Sequence, residues 1–176
     1  MMKEDVSGRA KRIKLLIIDI DGVMTDGRIV YSTHGNELKF FDVQDGFGIT
    51  LLNRAGIKSA IITAKKSRIV KLRARDLEIA KVYQGFHNKL TAFNKLLKDF
   101  RLDPGEVCFV GDDLVDMPVL KRVGLAVAVP NATEEVKLSV HYVTHKPGGR
   151  GAVREICDLI LKEQGKWDSV TARYFE

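Results

Sequence analysis

Two short segments concentrate carboxylates where a fold could use them. IIDIDGVMTDG places Asp19 and Asp21 at the end of the apolar run Leu15 to Ile20, and FVGDDLVD places Asp112, Asp113 and Asp116 just beyond the run Val107 to Val110. In sheets built from alternating strands and helices, ligands bind past the carboxyl ends of the strands, so residues immediately after such runs have the strongest claim to chemistry. Alternation along an extended chain would put Asp19 and Asp21 on one side, with Ile20 on the other. Gathering Asp19, Asp21 and Asp112 unaided would force like charges into a poorly solvated cleft and raise some of their pKa values. A divalent cation relieves that conflict, and a few carboxylates completed by water and a phosphate suit Mg²⁺. One Asp-Gly pair is as well explained by a helix cap or a turn. DxDGxxTDG followed by GDDxxD is not.

Two further residues fit a phosphoryl site. Thr63 directly follows the run Ser59 to Ile62, where its hydroxyl and nearby main-chain N–H groups can hold a phosphoryl oxygen. Lys89 follows Gln84-Gly85-Phe86-His87-Asn88 at the mouth of a helical segment, where a fixed ammonium can neutralise both a phosphate and an anionic nucleophile. Taken singly, Thr63 reads as a strand-end cap and Lys89 as a surface lysine. In this order, both at element ends, they read as parts of one site.

The elements that must carry these residues are legible as periodicities. Leu15 to Ile20, Ser59 to Ile62, Val107 to Val110 and Ala126 to Val129 are continuous apolar runs, as expected of central parallel strands covered on both faces. Leu90, Phe93, Leu96, Leu97 and Phe100 form one helical stripe, and Val153, Ile156, Cys157, Ile160 and Leu161 another. Strands and helices alternate, which predicts a doubly wound, Rossmann-like α/β fold in a single domain over residues 1–176. Arg28 to Val43 breaks the alternation: RIVYS and ELKFFDV around Thr-His-Gly-Asn read as a β-hairpin after the first strand. Its Ile29, Tyr31, Leu38, Phe40 and Phe41 are too apolar for a free two-stranded ribbon, so the hairpin is expected to pack against another subunit. Gly165 to Glu176 has no convincing period and reads as a tail.

Composition narrows the classes. Apolar residues make up 45% and charged residues 30% of 176, so the chain should fold rather than remain disordered. The net charge of +6 invites polyanions, but the basic residues are scattered and no RNP-type or zinc-finger pattern appears, so charged helix surfaces are the commoner explanation and polyanion binding the runner-up. Cys108 and Cys157 stand alone, which argues against a disulfide framework or a structural zinc site. MMKEDVSGRAKRIK lacks the apolar stretch of a secretory leader, and no run is long enough to span a bilayer, so a cytoplasmic protein with no membrane partner is expected.

Asp19-Ile20-Asp21, Thr63, Lys89 and Gly111-Asp112-Asp113 appear in the order of the four motifs of the haloacid dehalogenase superfamily of aspartyl-phosphate phosphatases, which the chain resembles over about residues 13–163. DGVMTDGRIVY, DVQDGFGI, YQGFHNKL, GDDLVDMPV and GGRGAVREICDLIL further resemble its capless phosphatases of an eight-carbon, 3-deoxy acid sugar phosphate used for the inner sugar of lipopolysaccharide. Phosphatases of nine-carbon, sialic-acid-type sugars share much of this pattern.

The resemblance implies roles. Asp19 is the nucleophile, Asp21 the acid and then the base, and Mg²⁺ is held by the Asp19 carboxylate, the Asp21 main-chain carbonyl and Asp112. Thr63 and Lys89 complete the catalytic set, and Asp116 orients water or Lys89. It also implies a homotetramer in which hairpins meet and subunits wall off one another's clefts. There Asp42, Val43, Gln44, Asp45 and Gly46 contact the sugar, and Gly149-Arg150-Gly151 and the tail reach a neighbouring site. An acidic sugar phosphate needs a second cationic cluster, for which Lys65 and Arg73 stand where similar phosphatases place arginines. The chain departs from the common pattern at Ala64-Lys65, in place of Gly-Arg, and at Thr50, often an arginine. Lysine lacks arginine's two-pronged geometry for carboxylates.

Two other classes fit parts of the sequence. A receiver-type phosphorylation switch also uses an aspartyl phosphate, Mg²⁺ and a lysine, but lacks a second carboxylate placed like Asp21. A nucleic-acid end phosphatase or binding module is motivated by the +6 charge alone.

Overall fold

The computed structural model describes residues 6–176; the first five residues of the N-terminal stretch lie outside it. Six strands form one parallel sheet: β1 (Leu15–Ile18), β4 (Lys58–Thr63), β5 (Lys81–Gln84), β6 (Val107–Gly111), β7 (Leu125–Ala128) and β8 (Tyr142–Val143), in the order β5-β4-β1-β6-β7-β8. Every residue of β1, β6 and β7 is buried, which is why these strands announce themselves as unbroken apolar runs. β2 (Val30–Tyr31) and β3 (Glu37–Leu38) form a separate antiparallel hairpin.

The helices are α1 (Val6–Ala10), α2 (Val43–Arg54), α3 (Arg68–Asp76), α4 (Lys89–Phe100), α5 (Met117–Leu120), α6 (Glu134–Ser139), α7 (Ala152–Glu163) and α8 (Trp167–Thr171). The Phe93 and Leu96 stripe of α4 and the Val153, Ile156, Cys157, Ile160 and Leu161 stripe of α7 are buried in the core. α2 packs against α7, and α4 against α5.

Four features differ from the sequence reading. The first strand ends at Ile18, and Ile20–Met24 winds into a π-helical turn interrupted at Asp21 (φ −76°, ψ 113°) and Gly22 (φ 94°). Strand alternation therefore does not set the directions of Asp19 and Asp21. The hairpin strands are only two residues each, because Phe40 and Phe41 have already left the ladder. Residues 43–46 are the first turn of α2, capped by Asp42, whose side chain accepts from Gln44 N and Asp45 N. Finally, residues 165–176, read as a tail without a period, hold regular structure: α8 and a 3₁₀ turn over Ala172–Tyr174 pack back on the body. Tyr174 sits edge-on to Phe47, with ring centroids 5.4 Å apart, and accepts a 2.6 Å bond from Arg54.

Candidate active site

Register brings the site together at one edge of the sheet. Ile18 pairs with Ile61 on one side and Val110 on the other, and Thr63 pairs with Gln84. Asp19, Thr63, Gly111 and the segment leading to Lys89 therefore leave the sheet at nearly the same level. Oxygens of Asp19, Asp112 and Asp116 lie within 4.8 Å of one another. Two glycines permit this. A side chain at Gly22 would place its Cβ 1.9 Å from Asp112 Oδ2, and Gly22 also holds a left-handed backbone that other residues resist. A Cβ on Gly111 would lie 2.6 Å from Asp116 Oδ2, so the absence of one lets Asp116 fold back beneath the loop.

Lys89, the first residue of α4, is 1% exposed. Its ammonium lies 2.9 Å from Asp19 and 2.5 Å from Asp116. Burial alone would lower its pKa, but the two carboxylates more than offset this and hold it above the ordinary lysine value. Asp116 is wholly buried; its Oδ1 faces Lys89, and its Oδ2 accepts from Asp112 N at 2.9 Å and Asp113 N at 3.3 Å. With both oxygens committed, Asp116 holds Lys89 and the Asp112 loop, leaving Asp19 and Asp112 as the carboxylates that face a ligand.

Burial pushes Asp19 up to about 7 despite Lys89, with Asp116 adding to the rise. Burial also raises Asp112 to about 7, helped by Asp19 and Asp116. One ammonium does not balance three clustered carboxylates, and this remaining negative charge, presented by oxygen donors alone, fits a hard divalent cation such as Mg²⁺. Asp19, Asp112 and the nearby main chain are the groups that would hold it.

Asp21 is not in this cluster. Its carboxylate forms an ion pair with Lys39, whose side chain is only 2% exposed. Sequence reasoning passed over Lys39 because a lysine beside a hairpin strand reads as solvated. Alternation in ELKFF assigns Leu38 and Phe40 to the covered face and Lys39 to solvent, yet Leu38 and Phe40 are the exposed ones and the Lys39 side chain is covered.

The remaining expected residues are spread around this centre. Thr63 ends β4 and is buried, whereas Lys65 is exposed. Arg73 is half-buried, its guanidinium 5.8 Å from the Phe41 ring and 3.4 Å from the Asp42 carbonyl, filling space left open by Gly46. Asp45 is 1% exposed, and its carboxylate accepts from Arg154 N at 2.8 Å and Gly151 N at 3.4 Å. It thus caps α7 from across the fold, and burial raises it to about 6. Val43 and Gln44 are exposed. The Gly149 amide donates to Val23 O, and Asn131 bridges Gly148 N and Gly22 O at 2.8 Å each, so this loop is tied to the nucleophile turn of its own chain. A cleft of about 400 Å³ opens between it, the hairpin and the start of α2, lined by Asp26, Arg28, Val30, Phe40, Asp42 and Arg150.

Carboxylates at the ends of β1 and β6, a threonine ending β4 and a buried lysine opening α4 define a phosphoryl-transfer hydrolase built on a doubly wound parallel sheet. The family described as haloacid dehalogenase-like hydrolase matches residues 48–156, and the chain belongs to it. The 3-deoxy-D-manno-octulosonate 8-phosphate phosphatase KdsC of Salmonella typhi is 49% identical over 163 residues, covering 93% of this chain and 87% of that protein. Among solved structures, the 3-deoxy-D-manno-octulosonate 8-phosphate phosphatase of Moraxella catarrhalis, in complex with magnesium ion, phosphate ion and KDO molecule, superposes with a TM-score of 0.95 at 41% identity, covering 99% of both chains. The cobalt-bound deoxy-D-mannose-octulosonate 8-phosphate phosphatase of Haemophilus influenzae gives 0.89 at 38% identity, covering 95% of this chain and 98% of that one. No described helix is long and apolar enough to cross a membrane.

Proposed function

We propose that this chain is a Mg²⁺-dependent phosphatase that hydrolyses 3-deoxy-D-manno-octulosonate 8-phosphate to the free sugar acid and inorganic phosphate. The observation that carries the reading is the convergence of Asp19, Asp112 and Asp116 within 4.8 Å around the buried Lys89. The likeness to the named Salmonella and Moraxella phosphatases supports the substrate.

An Asp19 oxygen attacks phosphorus as the bond from phosphorus to the sugar oxygen breaks, and Asp21 delivers its proton to that departing oxygen. Water then attacks the aspartyl phosphate, giving its proton to Asp21 and freeing Asp19. Lys89 favours the ionised form of Asp19 needed for attack and is anchored for that purpose by Asp116. Thr63 holds a phosphoryl oxygen. The Asp19 carboxylate, the Asp21 main-chain carbonyl and Asp112 would hold Mg²⁺, which would supply positive charge to reduce repulsion between nucleophile and phosphate.

The sugar occupies the cleft beside Asp42 to Gly46, with Lys65 and Arg73 contributing positive charge. Asp45 acts there indirectly, since its own carboxylate is spent on α7. The exposed Ile29, Tyr31, Leu38, Phe40 and Val43 support a homotetramer closed through its hairpins. The reading carries with it a cytoplasmic location and no nucleic-acid partner.

Phosphate release measured on 3-deoxy-D-manno-octulosonate 8-phosphate, a nine-carbon sialic-acid-type 9-phosphate and a 5′-phosphorylated oligonucleotide, each with Mg²⁺ and with EDTA, tests this. The eight-carbon substrate is expected to have the highest kcat/KM and to be silent in EDTA. Preference for the nine-carbon acid or the oligonucleotide overturns the substrate, and undiminished turnover in EDTA overturns the metal site.

A further inference from the structure

Lys39 has no part in the function proposed above, yet it is among the most elaborately held charges in the molecule. Its side chain is 2% exposed, and its ammonium is shared between Asp21 Oδ1 and Glu37 Oε1, the latter at 3.1 Å. Glu37 Oε2 in turn accepts a 2.8 Å bond from the Ser67 hydroxyl. Ser67 N donates to Gln84 Oε1 at 2.6 Å, and Gln84 Nε2 returns a 3.1 Å bond to Ser67 O. An unbroken series of polar contacts thus runs from the carboxyl end of β5, through the start of α3 and the hairpin, to Asp21. Apart from Lys39, no charged partner touches the Asp21 side chain among the described residues.

Asp21 needs such support because of where it sits. It occupies the non-helical interruption of the π turn, beside a glycine, where the main chain offers no regular packing to fix its side chain. A proton donor misplaced by about 1 Å can lose about two orders of magnitude in rate. The Lys39 contact engages Oδ1 alone, so one carboxyl oxygen is held while the other stays out of the ion pair.

We propose that Lys39 is the positioning residue for Asp21, holding its carboxyl group at the leaving oxygen and making that placement depend on the hairpin being docked through Glu37 and Ser67. The inference rests on the reading of Asp21 as the group that protonates the leaving oxygen while the Asp19–phosphorus bond forms.

Leaving-group dependence tests it without any contact to a sugar. p-Nitrophenolate departs readily without a proton, whereas phenolate is a poorer leaving group that benefits from one, and kcat/KM reports only the transfer to Asp19. For Asp21→Asn, kcat/KM on phenyl phosphate is expected to fall by about 100-fold or more, the size of a general-acid contribution, with a much smaller fall on p-nitrophenyl phosphate. Lys39→Met should repeat that selectivity with a loss of up to about 100-fold on phenyl phosphate, the cost of a misplaced donor, and Lys39→Arg should recover part of it. Equal losses on both substrates for Lys39→Met, or no loss, overturn the inference by reducing Lys39 to a hairpin staple or a bystander. If Asp21→Asn itself shows no selectivity, the assignment of Asp21 has failed and the role of Lys39 falls with it. Should Lys39→Met not fold, Glu37→Gln decides the matter: selective loss on phenyl phosphate supports the inference, and uniform loss or none overturns it.

Discussion

Replacing Lys89 by methionine isolates the electrostatics on which the site depends. The change keeps most of the aliphatic volume and removes an ammonium lying 2.9 Å from Asp19 and 2.5 Å from Asp116, in a position 1% exposed. Removing one partner of a buried ionic cluster costs about 3–5 kcal/mol, because the charges left behind have no solvent to replace it. The cost should depend on pH in a definite direction. Burial already raises Asp19 and Asp112 to about 7 in the folded chain, and losing Lys89 raises Asp19 further. A carboxyl group raised on folding leaves stability intact below its unfolded pKa, about 4, and withdraws it as pH climbs through the folded value. In EDTA, urea unfolding should therefore show Lys89→Met about 3–5 kcal/mol less stable than the parent at pH 8. At pH 5 the gap should shrink by up to about 1.4 kcal/mol for Asp19, the equivalent of the one pKa unit between its folded value and pH 8. Mg²⁺ at pH 8 should narrow it as well. A deficit under about 1 kcal/mol at pH 8, the level of an exposed pair, or one identical at both pH values, would mean that Lys89 does not restrain these carboxylates.

Two other perturbations probe neighbouring parts of the account. Gly22→Ala introduces a methyl group 1.9 Å from Asp112 Oδ2 and should weaken Mg²⁺ activation by about 10–100-fold while the circular dichroism spectrum is preserved; unchanged Mg²⁺ dependence would show that Asp112 need not approach the nucleophile turn. Phe40→Ser alters a side chain 70% exposed in the described chain, so the fold should lose no more than about 0.5 kcal/mol, yet light scattering should show a tetramer in the parent and smaller species in the variant. A parent that is monomeric and fully active would remove the role given to the hairpin.

What the sequence disclosed follows physical lines. β1, β6 and β7 were readable because burial on both faces demands unbroken apolar runs, and the α4 and α7 stripes because each helix buries one side. β5, with Lys81 exposed and Tyr83 half-buried, and β8, only Tyr142–Val143, were not readable, since edge strands share their surfaces with water. Asp19, Thr63 and Asp112 were legible as candidates because they sit at or just past strand ends, whose level the sheet register sets, and Lys89 because it opens the α4 stripe. Asp21 paired with Lys39, and Asp45 capping α7, depend on turn geometry and on contacts between segments distant in sequence, which no local pattern encodes. The packing of residues 167–174 was hidden for the same reason: Tyr174 finds Phe47 and Arg54 only in the folded chain.

The central claim is that Asp19 carries the phosphoryl group. A single turnover of 3-deoxy-D-manno-octulosonate 8-phosphate, quenched rapidly and treated with borohydride, reduces an acyl phosphate to the alcohol, and peptide mass spectrometry then locates the altered residue. Homoserine at position 19, dependent on both substrate and Mg²⁺, is the expected result. Homoserine at Asp112 or Asp113 instead, or none at any position from enzyme caught in mid-turnover, would contradict it.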